Sequence, residues 1–120
     1  MTISKKDGSD IAPRMKAGAA FVASGQLVEA AEIYAGVMTD YFPRDAPAFR
    51  NAYALTRDGD RSMASRAYAA IAEGWRAEGR YLKAAPMFRI AIALDPTRRD
   101  LARILAEMYV ALGLPGEEGA

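Results

Sequence analysis

Four glycines, Gly25, Gly59, Gly79 and Gly113, stand in the same local frame, and that frame restricts what this chain can fold into. Four residues before each comes a large apolar side chain: Phe21, Leu55, Trp75 and Tyr109. Seven before each comes a very small residue: Gly18, Ala52, Ala72 and Ala106. After the first three glycines, alanine follows at the fifth position (Ala30, Ala64, Ala84) and an aromatic at the ninth (Tyr34, Tyr68, Phe88). A glycine past an apolar-periodic run closes a helix, because it takes the left-handed conformation at no steric cost. The small residue lets two helix backbones approach, and the aromatic fills the space opposite. The frame therefore predicts closely packed helix hairpins.

Between these marks the apolar residues keep helical spacing. Tyr81, Ala84, Ala85, Phe88, Ala91 and Ile92 form one stripe, closed by Asp95-Pro96, where proline supplies no N–H and pushes its predecessor out of the helical region. Read this way, the chain is all-α, with six helices at about 11–24, 27–41, 46–57, 61–78, 81–94 and 98–112. Asp45 before Ala46-Pro47 is an N-cap, with proline in the tolerated first turn. Pro86 interrupts the fifth helix: either a late helix start brings it towards the first turn, or the helix kinks mildly there, and a kink that exposes the Leu82 carbonyl to a ligand is the functional alternative. Residues 1–10 and 114–120 lack periodicity and read as flexible ends around a single helical domain, 11–113.

The pattern resembles the tetratricopeptide repeat family. The match is fullest over Ser65–Pro96, through Ala72, Trp75, Gly79, Tyr81, Ala84, Phe88, Ala91, Asp95 and Pro96; a second unit, Ile11–Phe42, matches through Gly18, Phe21, Gly25, Ala30 and Tyr34. Gly25 to Gly59 and Gly79 to Gly113 each span 34 residues, the family's usual period, whereas Gly59 to Gly79 spans only 20, room for one helix. The resemblance implies an α-solenoid of antiparallel helices. Chain parity, the preferred reading of the overall shape, groups the six helices as three hairpins with the odd helices on one face; the motif makes the fourth helix second to its predecessor and first to its successor, and puts it on the inner face instead.

Composition bears on function mainly by exclusion. The 120 residues contain no cysteine and no histidine. Disulfides, thiolate metal sites, thiol nucleophiles and imidazole bases are thereby absent. The acidic residues are spread along the helices. Glu29 and Glu32, one turn apart, read as a solvated face rather than a metal site, and the glycines stand singly rather than in a phosphate loop. The reading is of a non-enzyme without cofactor or metal. No apolar run approaches the ~20 residues that span a bilayer, and the N-terminus has no signal-peptide pattern, so the expected setting is cytoplasmic, in a bacterial cell.

Charge is uneven within a net +1. Residues 1–43 carry −1, residues 44–103 carry +5, and the remainder carries −3; twelve of sixteen basic residues are arginine, suited to planar recognition of carboxylates. This positive excess, with no basic stripe carrying interleaved aromatics, does not point to nucleic acid. The resemblance implies that inner helix faces hold a peptide or helix of another protein. The candidate contacts are Lys16 on the first helix, Arg50, Tyr53 and Arg57 on the third, Arg66 and Arg76 on the fourth, and Arg103 on the sixth. Phe49 beside them reads as core. Met15 and Ala19 stand where carboxylate-clamping relatives carry lysine and asparagine, which argues against a chaperone-tail ligand. The leading expectation is an adaptor for an amphipathic or acidic segment. The alternatives are an oligomerisation module, part of a larger regulatory protein, self-associating through the last helix (Leu101, Ile104, Leu105, Met108, Tyr109, Leu112), or a secretion-chaperone-like repeat protein.

If Trp75 is the buried large residue of its frame, Trp75→Ala costs about 3–5 kcal/mol, a large part of a small domain's stability. Unchanged thermal melting of that variant would refute the frame.

Overall fold

The computed structural model describes residues 7–114, and within them the chain is all-helical, with no strand among the described residues. The helices are α1 (Ile11–Ala23), α2 (Leu27–Tyr41), α3 (Ala46–Arg57), α4 (Arg61–Ala77), α5 (Tyr81–Leu94) and α6 (Arg99–Ala111). The flexible ends read from sequence fall, at 1–6 and 115–120, outside the described residues.

The glycine frame is a repeated helix stop. Gly25, Gly59, Gly79 and Gly113 have φ of 81°, 83°, 77° and 72°. At each stop, the residue after glycine donates its N–H to the carbonyl of the large apolar residue: Gln26 to Phe21 (2.8 Å), Asp60 to Leu55 (3.0 Å), Arg80 to Trp75 (2.9 Å) and Leu114 to Tyr109 (2.9 Å). Glycine's own N–H reaches the carbonyl one residue further on, as Gly25 to Val22 (3.0 Å). This paired arrangement is the Schellman motif, which satisfies carbonyls that a helix end leaves open.

The chain divides into two compact units, residues 1–60 and 61–120, each holding three of the described helices. In the first, α2 packs on both α1 and α3. Gly18, Ala30, Ala31, Tyr34, Val37, Met38, Ala46, Phe49 and Ala52 are buried. α1 and α2 run antiparallel at very close approach: a Cβ at Gly18 would lie 2.5 Å from Cε1 of the Tyr34 ring. Only glycine fits there. In the second unit, α5 packs on both α4 and α6, and its contact with α4 is the most extensive between any two helices. The small residues Ala64, Ala69 and Ala72 on α4 and Ala84, Ala85 and Ala91 on α5 are all buried. The buried Ser65 donates its hydroxyl to the Ala91 carbonyl (2.7 Å), and Arg61 donates to the carbonyls of Ala93 (2.9 Å) and Leu94 (3.2 Å) at the end of α5. The fourth helix thus opens an antiparallel pair with the fifth, as the motif implies, while the α1–α2 and α5–α6 contacts are those of chain parity as well. The physical reason for the α4–α5 pair is the small-residue face of α4, which nests on the alanines of α5.

Two local expectations meet the structure here: a late start of α5 and a capping bond from Asp45, and neither is observed. α5 begins at Tyr81, so Pro86 lies inside the helix rather than in its first turn. Having no N–H, Pro86 gives no bond to the Leu82 carbonyl. Asp45 occupies the N-cap position of α3, but its carboxylate makes no capping bond.

The glycine environments predict opposite responses to the same substitution. Gly18→Ala forces Tyr34 or the helix axes to move, and overpacking of this kind costs about 1–3 kcal/mol. Gly74, mid-helix on α4, has nothing within 4 Å of an added Cβ. Gly74→Ala is expected to stabilise by up to about 1 kcal/mol through helix propensity. Urea midpoints of the two variants, falling for the first and rising for the second, check the assignment.

Candidate functional site

Three of the seven residues singled out from sequence lie together on α3. Ala46, Phe49, Ala52 and Thr56 point α3 into the core, and the Thr56 hydroxyl donates back to the Ala52 carbonyl (2.7 Å). With those positions committed, Arg50, Tyr53 and Arg57 fall together on one flank. Arg50 and Arg57 are exposed, and Tyr53 is half-buried. The Arg57 guanidinium lies over the Tyr53 ring, 5.4 Å from its centroid, and its Nε is 3.4 Å from Asp58 Oδ1. Arg50 donates from Nη1 to Thr39 Oγ1 on α2 (3.3 Å). Phe49, fully buried, belongs to the core as expected.

The arrangement offers two fixed-charge, multi-donor groups on either side of an amphipathic ring. Both side chains of the Arg57–Asp58 pair are more than half exposed. Such a pair is worth about 0–1 kcal/mol, so Asp58 holds Arg57 only loosely. Planar guanidinium groups accept carboxylates in a two-pronged geometry, and the tyrosine adds apolar area beside them.

The other four candidates lie on other helices. Lys16 is exposed on α1. Arg66 on α4 and Arg103 on α6 are exposed as well, and none of these three joins an ion pair among the described residues. Arg76 is half-buried and bound to Glu73 one turn earlier (2.9 Å). On α6, the side chains that suggested self-association are largely committed to the chain's own core: Leu101, Leu105, Met108 and Tyr109 are all buried. Val110 on α6 and Leu114, three residues past its end, are exposed.

One polar cluster escaped the sequence reading. Arg14 on α1 bridges Asp40 on α2 (2.8 Å) and Asp10 (3.2 Å), while the Tyr41 hydroxyl donates to the other oxygen of Asp10. Gly36 makes room for it, since a Cβ there would lie 2.8 Å from Arg14 Nη2. Asp10 therefore belongs to the folded unit, not to a loose leader. The Asp10–Arg14 spacing and a mid-helix glycine were the available signals. The Tyr41 hydrogen bond, followed by a backbone hydrogen bond and then the bond from Arg14, holds the Asp10 carboxyl below its ordinary range against the opposing effect of burial. Burial, then the bond to Asp10, pushes the Tyr41 phenol up to about 12. Asp40, then Asp10, raises the Arg14 guanidinium further.

Among the described residues no group of three acidic side chains could hold a metal ion, and no helix is long and apolar enough to cross a membrane.

The cluster gives stability a defined pH window. Asp10's pKa is depressed on folding, so its contribution is full above the ordinary value of 3.8 and fades as pH falls through the folded pKa. Tyr41's is raised, so its contribution is full below the ordinary 10.0 and fades as pH rises towards about 12. The stability difference between wild type and Tyr41→Phe should therefore be flat between those limits and shrink at both ends. Denaturation of the two proteins across pH measures it.

Comparison of the chain with family models, with curated proteins and with solved structures finds no match.

Proposed function

We propose that this chain is a non-catalytic protein-interaction adaptor of tetratricopeptide-like helical repeats, stacked as an α-solenoid, that holds an acidic or amphipathic segment of another protein. The observation carrying the proposal is the Arg50–Tyr53–Arg57 row on α3, its arginines exposed and one guanidinium already over the half-buried ring. The repeat reading is supported by four equivalent Schellman stops and by small residues at the close helix crossings. The 34-residue glycine spacing, found twice, supports it as well. An amphipathic segment lying along α3 would set carboxylates against the arginines and an apolar side chain against Tyr53. Lys16, Arg66, Arg76 and Arg103 are then surface charges outside this row, adding to the attraction of an acidic partner at long range.

The test is a double Arg50→Glu, Arg57→Glu variant of the full chain. Binding of a synthetic acidic amphipathic peptide, followed by fluorescence anisotropy, should weaken at least tenfold, equivalent to about 1.4 kcal/mol. Helicity and melting should stay near wild type, because both arginines are exposed. Peptide binding at wild-type strength would move the binding surface away from α3.

A further inference from the structure

The flank that carries the arginine row continues onto α2, where it turns acidic. The Arg50–Thr39 hydrogen bond sets the register of α3 along α2. These two helices are joined by only four residues and pack on each other, so they run in opposite directions. Seven residues on from Arg50 is Arg57, and seven back from Thr39 is Glu32. Each step is two helical turns, about 10 Å, so Glu32 and Arg57 stand level on neighbouring helices. Glu32 is exposed, and neither it nor Glu29 joins an ion pair among the described residues. Val28, one turn before Glu32, is the one exposed large hydrophobic among the described residues of the first unit. The surface is thus a basic row beside an acidic one, with apolar area at one end.

Such a surface is complementary to itself. A twofold axis parallel to α2 and α3 and midway between them lays α2 of one copy over α3 of the other. Each Glu32 then meets the partner's Arg57, twice per pair of molecules. An axis across the helices would instead set Arg57 against the partner's Arg50, and like charges exclude that alternative. We infer that this chain forms a symmetric dimer through the α2–α3 face, held by reciprocal Glu32–Arg57 pairs.

The inference rests on the proposed role of the arginine row as a receptor for acidic groups, and makes a second copy one of its ligands. The dimer covers the row until a partner segment displaces it. α2 and α3 are fifteen and twelve residues long, so the face they present is near the lower end of specific interfaces. The dimer is accordingly weak and weakened further by salt.

Sedimentation of the full chain at low ionic strength tests it. Wild type should associate to a dimer with rising concentration and dissociate on adding salt. Arg57→Glu alone and Glu32→Arg alone should each weaken dimerisation at least tenfold, with circular dichroism unchanged. Mixing these two variants in equal amounts should restore the dimer. In that mixture Glu32 of one copy meets Arg57 of the other, and the two introduced charges meet each other. Pairing within one chain cannot produce such rescue. A wild type that stays monomeric at every concentration overturns the inference, as do single variants that dimerise like wild type or a mixture no more associated than its components. Binding of the acidic peptide to wild type is read separately. Peptide binding by a strict monomer would sink the dimer and leave the adaptor standing; a rescued dimer that ignores the peptide would do the reverse.

Discussion

The Tyr34 ring occupies the space that any side chain at position 18 would need, and the first unit is organised around that contact. Because residue 18 is glycine, α1 and α2 approach until ring meets backbone, and Tyr34 becomes fully buried. In the second unit the same places in the frame hold Ala72 and Phe88, both fully buried. There the closeness is reinforced by Ser65 bonding to the Ala91 carbonyl. Small residues contribute little transfer free energy themselves. Their effect is to let large neighbours reach full burial and native packing density, which is how a chain so rich in alanine builds a core.

Close packing also decides where polar groups go. With α1 and α2 in contact, the guanidinium of Arg14 has two carboxylates within reach and a glycine beside it. The result joins Asp10, at the start of α1, to Tyr41, the last residue of α2. At the matching end of the second unit, Arg61 satisfies the last carbonyls of α5. Both devices fasten the open end of a helix pair, opposite the Schellman turn that closes it. On α3 the division is sharper still. Once Ala46, Phe49, Ala52 and Thr56 face the core, helical geometry leaves Arg50, Tyr53 and Arg57 on a single flank. The candidate site is a consequence of how α3 is buried, and its exposed ion pair is too weak to lock it.

The sequence by itself determined the helices and their ends. The read boundaries, such as 11–24 and 61–78, differ from the observed α1 and α4 by a residue at most. A Schellman stop is a local event, set by glycine's access to positive φ and by the apolar residue four positions earlier. The arginine row was legible for the same reason, since spacings of three, four and seven residues fix neighbours on one helix. Tertiary structure alone decided which helices pair, that Arg50 meets Thr39, that Arg14 reaches Asp40, and that the apolar face of α6 is committed to its own core. The Arg50–Thr39 and Arg14–Asp40 contacts join residues 11 and 26 positions apart on different helices, and α2, α3, α4 and α5 each bury a similar mixture of small and large side chains. Local pattern leaves several partners equally acceptable to such a face. The choice is made by the fit of whole helix surfaces, which exists only once the chain has packed.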